Sequence, residues 1–294
     1  MKIINTDVGA FAVRTAGSGT PVVLLHCSGS SGSHWRHVAN TLLADPPAAG
    51  PNRCRYHLIM PDLFGHGGSA PWPGGNPMRL ADDATIVSSL AGFIGEPVHL
   101  VGHSYGGAVA LVAALNRPEI IRSLTLIEPA AFFLLRNGQG SDRTFFKEIC
   151  EVGVHIAEGL AAEDVRPSVE HFVDYWSGAG TWRSLAPLAQ DSLLRRAAAI
   201  SQNFTSTTSE TATLQMVARL NTPTLLLHGS RTRPIARRIV ERLTQMLPDA
   251  ALNEIHGAGH MLPLTHPNPV ARAIGNHVIG REDAAVRFGE RPAA

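Results

Sequence analysis

Short apolar runs recur along the chain, each closed by Gly, Pro or polar residues and separated from the next by longer stretches of helical spacing. PVVLLHC at 21–27, YHLIMPD at 56–62, PVHLVGH at 97–103, LTLIEP at 124–129 and PTLLLHG at 223–229 are too short for helices. They are apolar at consecutive positions, the mark of strands buried on both faces. AALNEIHG at 250–257 ends the series, and helical patterns fill the intervals near 34–44, 78–94, 105–116 and 234–247. Buried strands alternating with helices predict an α/β fold, a mostly parallel sheet flanked by helices. Residues 2–5 and 9–15 alternate apolar and polar positions instead, which predicts an antiparallel hairpin at one edge and an eight-stranded sheet in all.

The rhythm breaks once. Between Pro129 and about Leu220 no strand pattern occurs, FFKEICEVGVHIAEGL (145–160) and QDSLLRRAAAISQNF (190–204) read as helices, and more than half of the chain's aromatics fall here. The expected organisation is a core formed by 1–130 and 220–280 with a helical cap inserted over 131–219. A polar, Ala/Pro-ended tail, 281–294, is expected to be flexible.

Composition narrows the function. At 294 residues the chain can bury a sizeable core. Its 25 basic and 24 acidic residues argue against nucleic acid or a membrane surface, whose affinity would rest on a basic field. In the densest basic stretch, RTRPIARRIVER (231–242), Arg238, Glu241 and Arg242 have the spacing of a solvated helix face. There is no signal-peptide pattern and no long apolar run, and Cys27, Cys54 and Cys150 are too few and too odd in number for a disulfide framework. A cytoplasmic protein acting on a small molecule is the expectation; a homodimer stays open.

The chemistry centres on Gly102-His103-Ser104-Tyr105-Gly106, which follows an apolar strand directly and opens an Ala- and Val-rich helix. The five-residue pattern alone is weak. In this setting the serine sits on a strained strand-to-helix turn, and the two glycines leave room for close backbone approach. The turn holds the hydroxyl beside a helix N-terminus whose free N–H groups favour developing negative charge. His260 lies between Gly257, Gly259 and Pro263, just past the last strand, in a loop able to fold back over the sheet. The pairs His256/His260 and His34/His37 have spacings a metal could use on a helix, but there is no H-E-x-x-H and His256 ends a strand. No metal and no cofactor is expected.

Three further stretches agree in order with the serine turn: LLHCSGSSGSHW (24–35), PDLFGHGGS (61–69) and GAGHMLPLTHP (257–267). Together they resemble the α/β-hydrolase family, in the branch with a helical cap after the sixth strand, over about 20–129 and 220–275. The resemblance implies an α/β-hydrolase fold with Ser104 as nucleophile and His260 as base. It further implies the backbone N–H groups of Ser28 and Tyr105 as oxyanion donors. Cys27 departs from the pattern, standing where a glycine usually follows the histidine; its thiol is read as packing. His26 and Asp62 are assigned to loop structure.

The acid is the anomaly. After Gly229 come Ser230, Arg231, Thr232 and Arg233, so Thr232 occupies the family's usual acid position. Glu241 lies within a helix and Asp249 precedes the last strand, at the opposite end of the sheet. Glu128 ends the strand SLTLIEP, at the carboxyl end where parallel sheets bind ligands, and Pro129 is expected to hold it extended. Some family members carry the acid after this strand. Glu128 is therefore the candidate, with no acid, or one elsewhere such as Glu254, as the alternatives.

The reading is a carboxylesterase-like serine hydrolase that cleaves an ester, lactone or thioester of a small apolar or ring-bearing substrate through an acyl-enzyme. Candidate pocket residues are Trp35, Phe132, Phe133, Trp176, Trp182 and Met261, although the cap's aromatics would serve equally as its own core. A non-hydrolytic or C–C bond-cleaving catalyst of natural-product metabolism, and a ligand-binding pseudo-hydrolase, are the alternatives on the same fold.

Overall fold

A computed structural model of the chain describes residues 1–7, 9–44 and 56–288, with side chains to Asp283. Cys54 and residues 289–294 of the expected tail lie outside the described residues. The strands are β1 (Lys2–Thr6), β2 (Gly9–Gly17), β3 (Thr20–Leu25), β4 (Tyr56–Pro61), β5 (Val98–His103), β6 (Ile121–Ile127), β7 (Thr224–Gly229) and β8 (Ala250–Ile255). They form one eight-stranded sheet in the order β1-β2-β4-β3-β5-β6-β7-β8. Only β2 runs opposite to the other strands, so the N-terminal hairpin forms the expected edge. β3 pairs with β4 on one side and β5 on the other, and at this reversal of strand order the carboxyl ends open into a crevice.

Outside the insert, the helices are α1 (Arg36–Ala44), α2 (Leu80–Ile94), α3 (Tyr105–Asn116), and, in the C-terminal part, Pro234–Met246, Leu262–Thr265 and Pro267–Phe288. Successive side chains of a strand point to opposite faces, and both faces of the central strands are covered. Val23 and Leu25 of β3 pack with Ile86 of α2 and Val109 of α3, whereas Val22 and Leu24 pack with Val38 and Leu42 of α1. That double burial is why the strands read as unbroken apolar runs. The insert between β6 and β7 carries α4 (Ser141–Ala161), α5 (Arg166–Ser177), α6 (Thr181–Ser184), α7 (Pro187–Leu194), α8 (Ala197–Ser209) and α9 (Leu214–Val217). The C-terminal three are accordingly α10, α11 and α12. No helix among the described residues is long and apolar enough to cross a membrane.

Two local expectations are corrected. Residues 190–204 are not one helix: the backbone breaks between α7 and α8, at Arg196, whose Nη1 donates to the Gly29 carbonyl at 3.0 Å. Helix formers run across this boundary, so only the contact with the core reveals it. Arg238 and Arg242 do not form a solvated face but reach the buried Asp142 of α4 at 2.6 and 2.5 Å, tying cap to core. Of the expected tail, residues 281–288 continue α12. Its Glu282 accepts from Arg122 at 2.7 Å and Arg281 pairs with Asp249 at 3.0 Å, long-range contacts that local sequence does not announce.

Candidate active site

Ser104 caps α3 directly after β5 with φ 53° and ψ −116°, a conformation costly for a residue with a side chain. The turn is pinned by backbone bonds from Ser104 N to Ile127 O and from Ala130 N to Ser104 O, both 2.9 Å. Its glycines are required by contact. A Cβ on Gly102 would stand 2.2 Å from Gly106 O, and one on Gly106 would stand 2.4 Å from Leu25 O.

His260, carried by the loop after β8, places Nε2 3.1 Å from Ser104 Oγ and Nδ1 2.7 Å from Glu128 Oε2. Glu128, one residue past β6, is 1% exposed. It is not extended as Pro129 suggested, but sits at φ 42°. The same residue is fixed by a bond from its N–H to Leu227 O at 3.0 Å, and the turn aims its carboxylate along the strand ends. Gly229 N donates to Oε1 at 2.8 Å and the Thr232 hydroxyl donates to Oε2 at 2.5 Å. Thr232 thus supports a carboxylate from the neighbouring strand at the position where an acid was expected. Burial pushes the Glu128 carboxyl up, but the His260 contact and these two donors outweigh it and hold it below its ordinary value. Glu254 is half-exposed on β8, 3.8 Å from His228, and Asp249 accepts from Thr224 at the far end of β7.

Ser28 and Tyr105 line the same cavity as Ser104, from the loop after β3 and from the first turn of α3. The Tyr105 hydroxyl donates to buried Asp83 at 2.7 Å, which fixes the residue next to Ser104; burial pushes the Asp83 carboxyl up to about 7. Asp62 accepts from Gly32 N and Gly68 N, and His26 Nε2 accepts from Leu63 N, so both organise loops as expected.

Behind His260 runs a buried hydrogen-bonded chain. Cys27 Sγ lies 3.8 Å from His34 Nδ1, His34 Nε2 3.1 Å from His103 Nδ1, and His103 Nε2 2.9 Å from the His260 carbonyl. A carbonyl can only accept, so each link is assigned in turn: His103 Nε2 and His34 Nε2 carry protons, and Cys27 donates its S–H. Burial pushes the Cys27 thiol up to about 12, consistent with a packed, protonated thiol. These three residues bring potential metal-ligand atoms within 4.8 Å of one another. Their hydrogen bonds already use both nitrogens of each ring, so the donor set is satisfied without an ion. The sequence pairs His34/His37 and His256/His260 do not converge, since His37 and His256 are exposed.

The cavity above Ser104 measures about 970 Å³ and lies between the core and α5, α7 and α8. Of the expected pocket residues it is lined by Phe132, Trp176 and Met261. Trp35, Phe133 and Trp182 are buried in hydrophobic packing instead and do not line it. Phe172 and Phe204 take that role; Phe204 stacks on Phe132 at 6.5 Å and meets Phe172 edge-on at 5.9 Å. Helical spacing marks an apolar face without saying whether packing or a cavity covers it. Trp176 of α5 lies over His260 with ring centroids 4.3 Å apart.

Residues 22–273 match the family model described as Alpha/beta hydrolase family. The chain is 25% identical to Lipase 3 of Moraxella sp. over 89% of its own length and 78% of that protein. It is 29% identical to Lipase LipV of Mycobacterium tuberculosis over 86% of its length and 91% of that protein. An esterase structure from Exiguobacterium antarcticum superposes with a TM-score of 0.74 at 20% identity, covering 94% of this chain and 98% of that one.

Proposed function

This chain belongs to the alpha/beta hydrolase family, and from that premise we propose that it is a serine hydrolase acting through an acyl-enzyme on an ester, lactone or thioester with a substantial apolar part. The observation that carries the reading is the continuous contact from Ser104 Oγ through the His260 ring to Glu128, opening on a largely apolar cavity.

Ser104 Oγ attacks the acyl carbon while His260 Nε2 takes its proton. The charge that forms on the ring is stabilised by Glu128 at Nδ1 and by the face of Trp176 above it. Glu128, held by Thr232 and Gly229, does not need to reorganise as this happens. The tetrahedral oxyanion is received by the N–H groups of Tyr105 and Ser28, where loss of one donor costs about 3 kcal/mol of barrier. Collapse delivers the proton from Nε2 to the leaving oxygen or sulfur. Water, deprotonated by the same nitrogen, then releases the acid and restores Ser104.

Hydrolysis of p-nitrophenyl acetate and butyrate by wild type and Ser104→Ala, with mass spectrometry after fluorophosphonate treatment, tests this. Turnover lost in the variant and an adduct on Ser104 support the reading. An inert wild type whose Ser104 stays unlabelled refutes it and favours a non-hydrolytic role.

A further inference from the structure

The cavity is charged in one direction. Arg196, Arg231 and Arg233 line it, and among the described residues no Asp or Glu does. Arg233 is already engaged: it donates to Glu148 at 2.9 Å and lies over the Tyr175 ring at 3.7 Å. Arg231 is exposed to solvent. Arg196 is different, for it is half-buried where the cap meets the loop after β3. Its guanidinium donates to the Gly29 carbonyl at 3.0 Å and forms no ion pair among the described residues. Burial already works against its charge.

Asn203 follows seven residues later in α8, about two helical turns on, and therefore shares its face. It is 2% exposed, and its Oδ1 accepts from the Ser28 hydroxyl at 2.6 Å. Its Nδ2 makes no hydrogen bond of ordinary geometry, and the Tyr105 hydroxyl is the polar group it interacts with inside the protein. A buried amide donor without an acceptor is unfavourable, as is a half-buried cation that forms no ion pair, an effect the charge of Asp62 offsets only in part. The two lie along one side of α8, Arg196 at its N-cap and Asn203 two turns in, and each side chain is bonded to a residue of the proposed oxyanion loop, Gly29 or Ser28. One planar group with two acceptor oxygens and a single negative charge would satisfy both.

We propose that Arg196 and Asn203 form a subsite for a carboxylate carried by the substrate near its scissile acyl group, so that the substrate class is a half-ester or thioester of a dicarboxylic acid rather than a wholly apolar ester. The inference rests on the hydrolase reading above for its substrate, but not for its binding. Phe132, Phe172 and Phe204 line the remainder of the cavity and take the apolar part.

The binding test uses Ser104→Ala, which removes turnover, and titration calorimetry with monoethyl succinate against diethyl succinate. The monoanion is expected to bind about 10- to 100-fold more tightly, the range for a hydrogen bond to a charged group. Arg196→Gln in the same background should abolish the preference, Arg196→Lys should restore part of it, and Asn203→Leu should reduce it. Circular dichroism establishes that each variant is folded. Equal affinity for both ligands, no detectable binding of the monoanion, or a preference that survives Arg196→Gln overturns the subsite. Ethanol release by wild type from monoethyl succinate, glutarate and adipate and their diesters separates the two claims. Hydrolysis without preference for the half-esters leaves the hydrolase and removes the subsite. Selective binding without hydrolysis leaves the subsite and removes the hydrolase.

Discussion

His260 and the His34–His103 pair lie side by side, with the rings of His103 and His260 5.1 Å apart, yet they are built for opposite purposes. All three are buried. His260 meets a carboxylate at Nδ1 and a hydroxyl at Nε2, and it faces the cavity. His103 meets a neutral imidazole at Nδ1 and a carbonyl at Nε2. Burial, with the neighbouring histidines, pushes His103 down to about 3 and His34 well below its ordinary value. A proton arriving on His260 finds a counter-charge; one arriving on His103 would abolish the acceptor that His34 needs. What Nδ1 touches, rather than residue type or depth of burial, separates a ring suited to carry a proton from a structural strut.

Removing the counter-charge should have the largest effect. Glu128→Gln keeps the shape of the site but not its charge, and kcat for p-nitrophenyl butyrate should fall about 10⁴-fold, the cost of removing the acid in a serine triad. A variant within tenfold of wild type would mean that His260 works without this partner.

Acid should next expose the other group. His26, His34, His66 and His103 all have lowered folded values, about 4 for His66 and about 3 for His103, with burial as the largest cause. Below about pH 6.5 the unfolded chain binds protons that the folded one refuses, so stability declines by up to about 1.4 kcal/mol per pH unit for each such histidine. It is complete above that pH and is lost as the pH falls. Glu128, also depressed, adds its loss only lower, through the carboxylate range. Urea midpoints should therefore drop between about pH 7 and about pH 5, with the raised Asp83, which gains its proton in the folded state over the same window, opposing the four histidines in part. A flat profile there would contradict neutral burial.

His103→Leu tests the strut directly. It leaves the His260 carbonyl and His34 Nε2 without their partner, and should destabilise by about 3 kcal/mol in urea unfolding. Thr232→Val should have the smallest effect. It deletes one of the two donors that support Glu128 besides His260, and kcat should fall roughly tenfold with stability nearly unchanged. A loss matching that of Glu128→Gln would make the hydroxyl, rather than the carboxylate, the decisive group.

Most of the architecture was legible because it is written in local signals. Consecutive Val and Leu at 22–25 announced a strand covered on both faces, and Gly102 and Gly106 announced a turn that nothing larger fits. The cap was legible as a stretch without strands, but not its internal break at Arg196 or its anchor at Asp142, both of which depend on residues far along the chain. Glu128 could be picked out as a carboxylate at a strand end, whereas its positive φ and its support from Thr232 could not.

The sequence by itself determined the order of strands and helices, the serine turn and the histidine loop, because periodicity and turn chemistry act between near neighbours. Only the tertiary structure decided which carboxylate meets His260, which aromatics line the cavity and which form core, and that His34 and His103 stand behind the site as a pair. These depend on side chains from β3, β5, β6, β7 and the cap arriving at one point. A pattern shows that a face will be buried; the packed fold determines what lies against it.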